Sequence, residues 1–199
     1  MIGVSRYINT DNKKVLALEY ATIAWNIAEG LVAIISGLAI GSVALLAFGM
    51  ESGIEVFSSS VVVWQLLKKK KNDQVLALRM LSVAFFVFGI YTLLMVGHSF
   101  LNATHPAASL PALLSMLAIS LGMLVLGVLK KRLGTHLQNP VVLLEAKLTL
   151  LDSAVSGALF VGLSLNMLFG WWWIDLILAT GIAFDALRQG FEQFREKRI

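Results

Sequence analysis

The chain has no cysteine, only three histidines, and charge on just 14% of its 199 residues. The absence of cysteine excludes disulfides and thiolate metal sites. An ordinary soluble domain carries about 25% charged residues. So little charge excludes a disordered chain and a nucleic-acid-binding module, and leaves a soluble enzyme too little polar surface to face water. No Ser/His/Asp constellation, Gly-rich phosphate loop or HExxH motif is present. Membrane hydrolases and ATP-driven pumps therefore have no support, and neither enzyme activity nor a prosthetic cofactor is expected.

What the chain does have is apolar length: 58% of its residues are hydrophobic and its mean hydropathy is +0.81. With ~20 residues needed to cross a bilayer, and about 30 per span with its loop, roughly six helices fit. Apolar runs occur at about Leu18–Gly41, Val43–Leu67, Leu76–Phe100, Leu110–Leu129, Val141–Met167 and Asp175–Gln193. The expected fold is an all-α integral membrane bundle of six helices, one transmembrane domain over residues 1–199 with the lipid bilayer as its surroundings. Glu19, Asn26 and Glu29 interrupt the first run, which is too long for a signal peptide. The break at Gly41–Ser42 is minimal and predicts a tight helical hairpin.

Basic residues set the expected orientation. Arg6, Lys13 and Lys14 precede span one, and Lys68–Lys71 and Arg79 lie between spans two and three. Lys130, Lys131 and Arg132 follow span four, Lys147 enters span five, and Arg188, Arg195, Lys197 and Arg198 end the chain; these are all 16 Lys and Arg residues. Every one maps to the same side, so the positive-inside rule predicts cytoplasmic N and C termini and an even number of spans. The other side holds His98, Asn102, His105 and the Trp171–Trp173 cluster, a composition that suits an interfacial anchor.

Six of the 12 acidic residues fall inside the proposed spans: Glu29, Glu51, Glu55, Glu145, Asp152 and Asp185. A carboxylate at mid-membrane costs several kcal/mol (~2.5–3.5 on insertion scales), so each is a functional hypothesis by default. At ~1.5 Å per residue, Glu29, Glu55 and Asp152 all reach the midplane, from three different helices. Glu51 stands one turn from Glu55 on the same face. Mutual repulsion and lost hydration favour protonation of some members of such a group when no cation is bound. A divalent cation relieves both penalties, so the group would exchange metal for protons. Oxygen donors suit Mg, Mn, Fe, Co or Zn, with the softer end usually recruiting His or Cys. A proton relay or an internally neutralised network fits the cluster almost as well. Glu145 lies near the cytoplasmic surface, where water or neighbouring charges explain it. Asp185 has Arg188 one turn on.

From Gly41 to Ser60 the chain reads Gly-Ser-Val-Ala-Leu-Leu-Ala-Phe-Gly-Met-Glu-Ser-Gly-Ile-Glu-Val-Phe-Ser-Ser-Ser. This resembles the second helix of the cation diffusion facilitator (cation efflux) family. The resemblance implies that Glu51 and Glu55 occupy metal-ligand positions. The segment Glu145-Ala-Lys-Leu-Thr-Leu-Leu-Asp152-Ser is similar to the family's fifth helix and implies a third ligand at Asp152. Phe169-Gly-Trp-Trp-Trp-Ile-Asp175 matches the lead-in to its sixth helix. The likeness spans about residues 17–194.

Two departures matter. Leu148 stands at the family's helix-five histidine, and no cytoplasmic metal-binding domain follows span six. The chain looks like a short, transmembrane-only bacterial branch in which a helix-one Asn-x-x-Glu recurs, here Asn26 and Glu29. Glu29, Asn26 or Thr149 then replaces the lost histidine. The resemblance implies a homodimer in the bacterial inner membrane that exports Zn, Co, Fe or Mn in exchange for protons by alternating access. Spans one, two, four and five would line the path, with spans three and six beside them. The competing expectation is a non-transporting assembly or metal-sensing protein that retains a degenerate family fold; a cation channel is a third.

Overall fold

The computed structural model describes the backbone of residues 2–68, 72–138 and 140–195. They form six helices: α1 (Ile2–Ile40), α2 (Val43–Lys68), α3 (Asn72–Leu101), α4 (Leu110–Leu137), α5 (Pro140–Phe169) and α6 (Trp173–Arg195). Four stretches are long and apolar enough to cross a membrane: Leu16–Ile40, Arg79–Leu101, Leu110–Leu137 and Ala146–Phe169. Large apolar side chains such as Ile35, Leu38, Leu94 and Leu168 point away from the bundle, as expected where lipid replaces water as the solvent.

The helices pack mainly as three pairs, α1 on α2, α4 on α5, and α3 on α6. Small residues set how closely each pair approaches. In the first, a Cβ at Gly49 would lie 2.8 Å from the Gly30 carbonyl oxygen, and one at Gly37 would lie 2.9 Å from the Leu46 nitrogen. In the second, Ser120 Oγ donates to the Ser153 carbonyl (2.9 Å) and Ser153 Oγ to the Ser120 carbonyl (2.8 Å). In the third, Ser82 Oγ donates to the Gly190 carbonyl at 2.8 Å, and Gly89 packs on Leu187. These registers make every pair antiparallel. One end of the bundle therefore carries Trp171, Trp172, Trp173 and the tight α1–α2 turn. The opposite end carries Arg79, Lys131, Arg132, Lys147, Arg188 and Arg195. The side chains of Lys68–Lys71, Lys13, Lys14 and Glu145, like Lys197 and Arg198, lie outside the described residues.

The α1–α2 turn has the geometry that its sequence suggests. Gly41 adopts φ 72° and Ser42 N–H donates back to the Gly37 carbonyl at 3.0 Å, the closing bond of a Schellman cap. Gly37 is a close-packing site and Gly41 a turn. Lys130 departs from its expected place in a loop. Because α4 continues to Leu137, where Gln138 closes it in a left-handed conformation, Lys130 lies within the helix and is fully buried. Its Nζ is 3.5 Å from Glu19 Oε2 of α1. A lysine serves as a topology marker only when its ammonium reaches the headgroups, and this one is turned inward.

Candidate cation site

The α1–α2 hairpin sets the depth of the acidic residues. Counted outward from its turn, Asn26 and Glu55 are about equally far along their helices, and Asn26 Nδ2 donates to Glu55 Oε2 at 2.9 Å. One turn nearer the turn, Ser52 Oγ donates to Glu29 Oε1 at 3.2 Å. Trp25 packs over Gly122 of α4, and Ser120 of α4 pairs with Ser153 of α5. Asn26 and Glu55 therefore meet across α1 and α2, and α4 links α1 to the segment of α5 that carries Asp152. Asp152 also belongs with Thr149, one turn closer to the basic end.

Burial among these residues is uneven. Asn26, Glu29 and Thr149 are each 2% exposed and Glu51 8%, whereas Glu55 and Asp152 are half-buried. The charges of Asp152, Asp185 and Glu29 all act on Glu51, and that of Asp152 acts on Glu29. Carboxylates from α1, α2, α5 and α6 thus share one electrostatic neighbourhood. Among the described residues, however, no three His, Cys, Asp or Glu side chains gather closely enough to hold one ion in this arrangement.

Two oxygens in the site lack partners. Asn26 Oδ1 is buried without a hydrogen bond. The Trp25 indole N–H faces Glu29 without reaching hydrogen-bond geometry, which leaves both Trp25 Nε1 and Glu29 Oε2 unsatisfied. A buried acceptor without a donor costs about 1–3 kcal/mol, so this pair marks a place where a positive ligand would be favoured. Glu29 does not bond to Asn26, its neighbour one turn away; each reaches across to α2 instead.

The other expected residues fall elsewhere. Leu148 is exposed on the outer face of α5. Asp185 pairs with Arg188 at 3.2 Å and accepts from Gln189 at 2.8 Å, all within α6. His98, His105 and His136 are exposed near helix ends, and His105 stacks on Trp172 with ring centroids 4.3 Å apart. Sequence reasoning missed Ser52 and the Glu19–Lys130 pair. Ser52 was legible, since folding the chain at Gly41–Ser42 puts it opposite Glu29. Nothing in the spacing couples Glu19 to Lys130.

A bundle of long apolar helices with buried carboxylates on α1 and α2 has the character of a membrane protein. The chain belongs to the cation efflux family: a model of the cation efflux transmembrane domain matches residues 20–198. That family is one of cation transporters and not of enzymes, which supports a cation transporter here. No curated protein matches the chain.

Proposed function

We propose that the protein exports a divalent transition-metal cation of the Zn, Co, Fe and Mn class from the cytoplasm in exchange for protons. Glu51, Glu55 and Asp152 bind the cation, Glu29 contributes a fourth carboxylate, and Asn26 and Thr149 supply neutral oxygens. The observation that carries this reading is the pair of unsatisfied buried oxygens, Asn26 Oδ1 and Glu29 Oε2, beside carboxylates from neighbouring helices. The cation draws α2 and α5 together around it; protons replace it when it leaves, since like charges at such depth do not remain ionised together. Alternating access, a homodimer and a place in the bacterial inner membrane with cytoplasmic termini complete the proposal.

Purified protein in proteoliposomes tests it. Zn, Co, Fe or Mn loading should be saturable and accompanied by opposite proton movement, read with a pH dye in the lumen. Glu55→Gln and Asp152→Asn at the parental rate would sink the site assignment. A second reading, a metal-binding assembly or sensor protein, draws on the exposed Leu148 and on the absence of three gathered ligands among the described residues. Metal binding by calorimetry without pH-coupled flux would favour it.

A further inference from the structure

The first turn of α2 begins in the interior of the bundle, where no water satisfies its free N–H groups. Helix starts leave four such donors, and burying them unpaired is costly. Here each has an acceptor. Ser42 N–H donates to the Gly37 carbonyl (3.0 Å) and Leu45 N–H to Ser42 Oγ (3.1 Å). The remaining two, Val43 N–H (2.8 Å) and Ala44 N–H (3.3 Å), donate to Asp175 Oδ2, a carboxylate of α6. The Ser42 hydroxyl donates to the other oxygen, Asp175 Oδ1. Ser42 is fully buried and Asp175 8% exposed. Half of this helix cap is thus supplied by a different helix, and by a negative charge at the positive end of the α2 dipole.

The cap joins two of the three helix pairs, α1–α2 and α3–α6. The tryptophan end is tied elsewhere too: Ala107 N–H donates to the Ile40 carbonyl at 2.8 Å, and Asn166 Nδ2 to the Pro106 carbonyl at 2.9 Å. Ile40, Val43, Ala44, Leu45, Leu163 and Leu176 belong to the buried core. Farther along, α2 parts from α3. Met50 and Ile54 face Met80, Val83 and Tyr91 across an open groove of about 680 Å³ that reaches Arg79. Glu51 and Glu55 ride on α2 between the clamped end and the splayed one.

We propose that Asp175 is a positioning residue that clamps α2 to α6 and holds the tryptophan end closed, and that the carrier must release this cap to open there. The clamp rests on the carrier reading above. It holds α2 and α6 together at the tryptophan end, and its loss shifts the population toward a state open there.

The chain has no cysteine, so a single Ala47→Cys reports access without background. Ala47 is fully buried on α2, one turn from Val43. A membrane-impermeant maleimide is applied to proteoliposomes containing A47C alone, with D175N, or with S42A. Loss of charge-assisted hydrogen bonds predicts labelling at least ~10-fold faster in A47C/D175N. A47C/S42A, which removes one bond from the carboxylate, falls between. KM for Co supplied from the basic end rises in the same order. A residue needed only for folding would lower the yield of monodisperse protein and leave labelling of the folded fraction unchanged, and that result overturns the clamp. If D175N does not fold, the graded response of S42A decides, and parental labelling and KM in S42A reject the proposal. A parent protein that moves no cation would defeat the carrier reading, whereas the labelling comparison would still judge the clamp.

Discussion

At the tryptophan end every early N–H of α2 has an acceptor, whereas farther into the bundle two buried oxygens of α1, Asn26 Oδ1 and Glu29 Oε2, have none. Both regions are interior and polar, and both join α1 or α2 to another element. The difference is in completeness. A polar network whose members are all satisfied rigidifies a fold, and one left open is held for something else. In the proposed function the first region is a joint and the second a berth for the cation. Glu51, with the charges of three other carboxylates acting on it, belongs to the second.

The comparison breaks most readily at the berth. Glu55→Gln or Asp152→Asn should lower cation flux by on the order of 100-fold or more, the scale for removing one partner of a desolvated charge interaction. Reversible unfolding in mixed detergent micelles should remain near parental, because the berth contributes binding and not packing. Loss of stability with unchanged flux per folded molecule would reverse the assignment.

Lys130→Met should act in the opposite sense. It leaves Glu19 buried beside an apolar side chain, at a cost of about 3–5 kcal/mol in the same unfolding measurement. The double variant Glu19→Gln/Lys130→Met should recover most of that loss. Failure of the double variant to recover would mean that the pair is not the interaction that matters.

Gly49→Ala tests the packing that sets the depth of the berth. Its Cβ would crowd the Gly30 carbonyl oxygen at 2.8 Å and the Ile34 nitrogen at 2.9 Å, so α1 and α2 must separate at about 1–3 kcal/mol. Flux should fall together with stability, since the Asn26–Glu55 bond depends on that approach. The smallest effect is expected for Ser120→Ala. It removes one of two reciprocal bonds between α4 and α5, worth about 0.6 kcal/mol in a membrane setting, and flux should stay within twofold of parental.

Much of this was legible before the helices were placed in space. The hairpin at Gly41–Ser42 followed from a break of minimal length, and the structure closes it with a left-handed glycine and a serine cap. Glu51 and Glu55 are four apart, so any helix puts them on one face. Glu29, Glu55 and Asp152 were expected at a common depth. The structure pairs Glu55 with Asn26 and puts Glu29 about a turn nearer the α1–α2 turn. The reading of Lys130 failed because a helix that continues past its apolar stretch rotates each side chain by helical phase, and 3.6 residues per turn brought this one inward. In the sequence Asp175 stands only as the end of a lead-in motif. That it completes the first turn of α2, more than a hundred residues earlier, depends on where α6 lies.

The sequence by itself determined the six helices, the tight first turn, the gathering of basic residues at one end and the carboxylates within the apolar runs. These follow from apolar run length and from the fixed rise and period of a helix, which are local quantities. Only the tertiary structure decided which polar groups meet: Asn26 with Glu55, Ser52 with Glu29, Glu19 with Lys130, and Asp175 with the start of α2. Such meetings depend on the rotation and register of one helix against another. In this bundle close contacts at Gly30, Gly37, Gly49 and Gly122 set both, and no single helix carries that information.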